Sequence, residues 1–242
     1  MGAGPVQVLL SDPDLAGSLE GERLRKAERD LIATTIVAFE GPWDPEAEAE
    51  GVRGGIGLLL LEGLIVRRVG LTGRYGAELL GPGDLMRPWQ HDGEDVTLPF
   101  DTTFRVIERS VLALLDLRFA ARAAPYPEVA GALVGRAMQR SRTLVVNVAI
   151  AHYPRIDRRL LMLMWHLADR WGRVTPEGIR IPLRLTHQLL ADLVASRRPS
   201  VTSALQELTR EGHISKAGDA WILHGEPPGE VYDVQQRTAH EA

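Results

Sequence analysis

The segment Thr186–Ile214 constrains this chain more than any other, because it reads as two short helices joined by a tight turn. Leu189, Leu190, Leu193 and Val194 recur at helical spacing, and so do Val201, Leu205 and Leu208. Thr186 is placed to cap the first helix, and the small side chain of Ala191 lets the second cross closely. Pro199 suits the first turn of the second helix, where a missing N–H loses no bond. Arg197, Arg198, Ser200 and Ser203 stand at that helix's N-terminal end. Arginines and hydroxyls offered there suit entry into the major groove of double-stranded DNA. A helical hairpin in an ordinary core accounts for the leucines but not for two adjacent arginines beside the turn. Beyond Gly212, His213–Lys216 and Ala220–His224 flank Ala217-Gly218-Asp219, which predicts a β-hairpin. Two helices followed by a hairpin is the order of a winged helix, with Lys216 set to reach phosphate.

Charge follows the same division. The formal net charge is −4 over 242 residues, yet residues 155–224 hold eleven Arg/Lys against seven Asp/Glu. Residues 1–154 hold sixteen against twenty-one, so the basic part is the part with the winged helix. The chain has no cysteine, which removes disulfides, thiol catalysis and cysteine-held iron–sulfur clusters and is compatible with a cytosol. Met1–Leu10 lacks the basic start and long apolar core of a signal peptide, and Ile56–Val66 is interrupted by Glu62 and Gly63. A cytoplasmic protein that makes no use of a membrane is expected.

Upstream, the chain changes character twice. Leu31–Phe39, Gly57–Val69, Tyr75–Leu80, Phe104–Arg109 and Val111–Leu115 predict many short strands, hence a sandwich or small barrel. Pro45–Glu50 reads as an acidic loop. From Pro127 to about His152 the pattern turns helical. Val134, Met138, Ser141, Val145 and Val148 follow the 4-3-4-3 spacing of a dimer seam. A second apolar row, Leu133, Ala137, Leu144 and Ala151, suggests that one side of this helix faces the β-domain and the other a partner subunit. Pro154 interrupts the helix, Arg155–Trp171 resumes it, Gly172–Gly178 reads as a loop, and Ile179–Leu185 reads as a strand. The expected organisation is α+β: an antiparallel β-barrel over residues 1–126, a dimerisation helix over 127–153, a winged helix over 154–224, and a flexible tail from 225 to 242.

This order of parts, with the motif residues above, resembles the Crp/Fnr family of bacterial transcription regulators from about Arg29 to His224. The resemblance implies a homodimeric DNA-binding regulator that meets RNA polymerase and couples a sensor barrel to the helix-turn-helix. Ser196–Val201 lies over the family's Ser-Arg-Glu-Thr-Val pattern, which puts Arg198 on the guanine-reading arginine. Thr186, His187, Gln188, Arg197 and Ser200 fall on positions that hold phosphates. Pro199 replaces a base-contacting glutamate and Ser203 a second arginine, so a different operator is implied. Ala195 stands where the turn normally has glycine, and a left-handed alanine there costs roughly 1–2 kcal/mol.

Leu80–Leu85 matches a turn of the family's cyclic-nucleotide-binding barrel, but the anchors of that ligand differ. Arg87-Pro88 occupies the place of the ribose-holding Gly-Glu, and Asp101-Thr102-Thr103 that of the triplet whose arginine pairs with the cyclic phosphate. A carboxylate facing a phosphate has the wrong sign, so cyclic AMP is not the expected effector. Arg87, Trp89, Gln90 and His91 are candidates to line a pocket for another small molecule, against the plainer reading of Trp89 as a cap on the barrel. No cofactor is expected. The seven histidines never form His-x-His or His-Glu-x-x-His, so no metal or catalytic set is assigned. The rival is a cupin-like metal-binding or enzymatic barrel with an appended DNA-binding domain, and its one local ligand cluster is His91, Asp92, Glu94 and Asp95.

Overall fold

The computed structural model describes residues 3–48, 54–71, 74–91 and 100–228. The chain divides into two compact units, residues 1–144 and 145–242.

The first unit is built on one antiparallel sheet. Strands β1 (Ala3–Gln7), β2 (Ile32–Ala38), β4 (Gly57–Leu71), β5 (Arg74–Leu80) and β7 (Asp101–Leu115) run in the order β1-β2-β7-β4-β5. Two short strands are added, β3 (Gly41–Trp43) on β7 and β6 (Leu85–Met86) on β4. The expected closed barrel is therefore corrected to an open sheet, because the two end strands of the path, β1 and β5, do not pair with each other. The expected strands Phe104–Arg109 and Val111–Leu115 are one strand, β7. The irregularity lies opposite them, where the β4–β7 register shifts between Leu60 and Ile65. Gly63 sits at that bulge with φ +93°, and a Cβ there would come within 2.4 Å of the Arg109 carbonyl oxygen.

Around Leu58–Leu60 and Leu112–Leu115 the sheet is covered on both faces, which explains the unbroken Leu58–Leu61 run. Leu59, Ala113 and Leu115 join Leu15, Leu31, Phe119, Val129 and Leu133 in one core. Leu58, Leu60 and Leu112 point the other way, into a core with Ile36, Ile65, Leu80, Trp89 and Phe104. The helices of the first core are α1 (Val8–Ser11), α2 (Gly21–Asp30), α4 (Leu117–Ala123) and the start of α5 (Pro127–Ala151). Of the acidic loop expected over Pro45–Glu50, residues 45–48 are instead a single helical turn, α3 (Pro45–Glu48), capped by Asp44 Oδ1, which accepts from the Glu46 and Ala47 amides at 3.0 and 3.2 Å, while residues 49 and 50 lie outside the described residues.

Two arginines one turn apart tie α5 to this unit. Arg136 pairs with Asp12 at 3.0 Å, and Arg140 grips Glu78 through two bonds (2.6 and 3.2 Å) and the Leu85 carbonyl at 2.9 Å. Glu78 also pairs with Arg67 and is 5% exposed, so its charge is buried but matched from two sides. The carboxyl of Asp12 is pushed above its ordinary range chiefly by burial, with Arg136 opposing.

The second unit holds α6 (Ile156–Trp171), α7 (His187–Leu193), α8 (Arg198–Arg210) and a small antiparallel sheet. The sheet runs β10 (Ile214–Ala217), β11 (Ala220–Leu223), β9 (Gly178–Ile181), β8 (Arg173–Thr175). The stretch expected to be a loop before Gly178 thus contains β8, a three-residue strand too short to carry a pattern. Pro182 follows the end of β9. Leu160, Met164 and Leu167 of α6, Leu190 of α7, and Val201, Leu205 and Leu208 of α8 are buried, as are Ile214 and Trp221. The helix break expected at Pro154 is present, α5 ending at Ala151 and α6 starting at Ile156.

Candidate nucleic-acid interface

The turn between α7 and α8 is closed by a Schellman motif. The Ser196 amide donates to the Ala191 carbonyl at 2.9 Å and the Ala195 amide to that of Asp192 at 3.3 Å. That geometry needs a left-handed residue in the turn, and Ala195 supplies it at φ +50°. Alanine is strained there by roughly 1–2 kcal/mol, whereas glycine costs only its extra chain entropy, roughly 0.5–1 kcal/mol. Ala195→Gly is therefore expected to stabilise the chain by about 0.5–1 kcal/mol. The check is a rise in the urea midpoint at unchanged slope; a lower midpoint would show that the turn carries no strain.

At its start, α7 is capped by Thr186, whose hydroxyl accepts from the Leu189 amide at 3.1 Å. The hydroxyl proton stays available to a phosphate oxygen. His187 holds the two helices in register, its Nδ1 lying 3.0 Å from Thr202 Oγ1, which in turn donates to the Arg198 carbonyl at 3.0 Å. Its pKa is lowered first by burial, then by the charges of Lys216 and Arg198. Those two cations, one from the wing and one from α8, thus stand close enough to bear on it. Gln188 donates to Asp192 at 2.9 Å.

Helix α8 begins at Arg198, with Arg197 as its cap residue and Pro199 in its first turn. Val201, Leu205 and Leu208 bury one face, while Arg197, Arg198, Pro199 and Ser203 are exposed and Ser200 is half-buried. No ion pair engages Arg197 or Arg198 among the described residues. The helix N-terminus adds its own unpaired N–H groups, which favour phosphate oxygens. Ser203 Oγ donates back to the Pro199 carbonyl at 3.3 Å. The wing turn is Gly218-Asp219, between paired Ala217 and Ala220, and Gly218 takes φ +63° there. Lys216 is exposed, its ammonium 4.9 Å from the centre of the Trp221 ring. The fold so gathers Thr186, His187, Arg198 and Lys216, which sequence spacing leaves up to thirty residues apart. Thr202 was not among the candidates; a threonine one turn beyond Arg198 is the signal that finds it.

The remaining candidates are distributed as follows. Val134, Met138, Val145 and Val148 on α5 are 56–69% exposed, and Ser141 is exposed as well. Of the second row, Leu133 is buried but Ala137 is exposed, so that row is not the continuous packed face expected of it. In the N-terminal unit Trp89 is 8% exposed within the apolar core and Arg87 is exposed, which puts them in different surroundings. The side chains of Gln90 and His91, and all of Asp92, Glu94 and Asp95, lie outside the described residues. Among the described residues no group of three His, Asp or Glu is arranged to hold a metal ion. None of the described helices is long and apolar enough to cross a membrane.

Residues 155–225 match the family model described as a Crp-like helix-turn-helix domain. A global nitrogen regulator from Synechocystis is 34% identical over 82 residues, which is 34% of this chain and 36% of that protein. The chain spans about two-fifths of the length of the curated relatives it matches. Two solved structures share the fold over most of the chain. One, a cyclic nucleotide-binding domain containing protein from Listeria monocytogenes, is 16% identical with a TM-score of 0.61, over 78% of this chain and 88% of that one. The other, FixK2 from Bradyrhizobium japonicum, is 16% identical with a TM-score of 0.59, over 81% of this chain and 94% of that one.

Proposed function

From the premise that this chain belongs to the Crp/Fnr family, its residues 155–225 being a Crp-like helix-turn-helix domain, we propose that it is a sequence-specific transcription regulator. It acts as a homodimer on palindromic double-stranded DNA and meets RNA polymerase there. The observation that carries this reading is the exposed N-terminal end of α8, where Arg197 and Arg198 are both open to solvent, together with the exposed Lys216 of the wing. Arg198 reads a guanine; Thr186, His187, Gln188, Arg197, Ser200 and Lys216 hold backbone phosphates; Pro199 and Ser203 set the operator apart from the family's best-known one. The dimer forms along Val134, Met138, Ser141, Val145 and Val148, the exposed apolar row of α5. The break at His152–Pro154 is where the two DNA-reading parts turn into register. The protein works in the cytoplasm, carries no resident cofactor and catalyses no reaction. Selection of bound sequences from random duplexes, with and without cell metabolites, tests the reading. It predicts a palindrome with half-sites about one helical turn apart, and recovery of unrelated sequences would overturn it.

The sensor does not take cyclic AMP. Asp101, Thr102 and Thr103 provide no cation where that ligand's phosphate is held in the family, and a phosphate buried beside Asp101 would be desolvated without an offsetting charge. Calorimetry with cyclic AMP and cyclic GMP at near-millimolar concentration is expected to show no saturable heat. Micromolar binding of either would overturn this.

A further inference from the structure

The N-terminal unit contains a cleft of about 560 Å3 at the junction of β3 and β7, a size suited to a small organic ligand. Trp43 and Phe104 face each other across the paired strands and form its aromatic wall, ring centres 6.0 Å apart and edge to face. Thr102, two residues earlier on β7, adds a hydroxyl to the lining. The Trp43 indole Nε1 and the Thr102 Oγ1 are both shut off from solvent without a hydrogen-bond partner among the described residues. The indole Nε1 of Trp89, which belongs to the same apolar core as Phe104, is in the same condition. The helical turn α3 that follows Trp43 lies against Pro88–His91, the turn carrying Trp89.

An unmet buried donor costs roughly 1–3 kcal/mol, and native interiors leave few of them. Two of these groups, on Trp43 and Thr102, belong to residues that line this one cleft, and they call for an acceptor. The rim has the opposite character. Asp44 and Glu46 line it as exposed carboxylates, and among the described residues no Arg, Lys or His stands in its wall. Anionic ligands are repelled there, whereas aromatic walls favour a flat ring and tolerate a positive charge. We propose that this cleft binds a small, flat heteroaromatic molecule, uncharged or cationic, whose carbonyl or ring-nitrogen acceptors meet the indole N–H of Trp43 and the hydroxyl of Thr102. The proposal rests on the reading of the N-terminal unit as the sensing half, and it moves the ligand from Arg87 and His91 to a wall formed by β3 and β7.

The test uses the full chain labelled with 15N and follows its five tryptophan indole signals, assigned with Trp43→Phe and Trp89→Phe. Nicotinamide and caffeine are the uncharged probes, and nicotinate is the anion with the same ring as nicotinamide. Saturable shifts of the Trp43 and Trp89 indoles with either uncharged probe are expected, with Trp165, Trp171 and Trp221 unmoved. Nicotinate should bind at least about tenfold more weakly than nicotinamide, and Asp44→Asn with Glu46→Gln should narrow that gap. Thr102→Val, nearly the same shape, should weaken nicotinamide about fivefold and leave operator affinity without probe unchanged. No saturable indole shift with either uncharged probe, equal binding of nicotinate, or indifference to Thr102→Val would each overturn the proposal. Operator affinity that still responds to cell metabolites would then leave the sensing role standing and place its ligand elsewhere.

Discussion

Val145→Glu and Val148→Glu are each expected to yield monomers and to lower operator affinity on the order of a hundredfold, because a linked pair of sites gains that much over one site alone. Both valines stand on the outward row of α5, 69% and 57% exposed. At a two-fold seam each substitution sets two carboxylates against each other in place of two apolar side chains. Glutamate is the better helix former, so α5 itself should persist and the loss should not come from unfolding. Sedimentation at micromolar concentration checks the first effect and titration of an operator duplex the second. An intact dimer in both variants would show that the partner surface lies elsewhere.

Arg198→Ala is expected to cost roughly 1–3 kcal/mol of specific binding, a five- to 150-fold loss, while binding to random duplex stays nearly unchanged. Arg198 is the first residue of α8, exposed, and free of ion pairs among the described residues. Its removal therefore breaks no contact needed by the fold. Lys216→Ala gives the contrasting result, an even loss on all sequences and a shallower dependence on salt, because a phosphate contact carries no sequence information. Equal losses on specific and random duplexes for Arg198→Ala would sink its role as the base reader.

How far the sequence went depended on how local the cause was. Thr186 as cap, Pro199 in the first turn, the break at Pro154 and the hairpin turn at Gly218 each follow from one residue's own chemistry, and the structure has all four. The left-handed Ala195 is different: alanine's own chemistry disfavours that conformation, and only the glycine usual at that place in the resembled family raised it as a condition, which the φ of +50° meets. The strands of the N-terminal unit were harder. Leu58–Leu61 shows an unbroken apolar run rather than alternation, because this part of the sheet is covered on both faces. Strand β1 and helix α2 went unread, since β1 is ordered by pairing with β2 about thirty residues on.

By itself, then, the sequence determined the helix-turn-helix with its wing, the basic character of that part and the outward valine row of α5, all set by periodicity and by single capping or turn residues. Only the tertiary structure decided that the sheet is open rather than a closed barrel, because closure depends on whether β1 and β5 meet, and no residue pattern within either strand encodes that. It decided equally that Arg140 would be held by Glu78 and that Trp43 and Thr102 would share one cleft. These partners are 62 and 59 residues apart in the chain, and only the packing of helix and strands around one core brings them into reach.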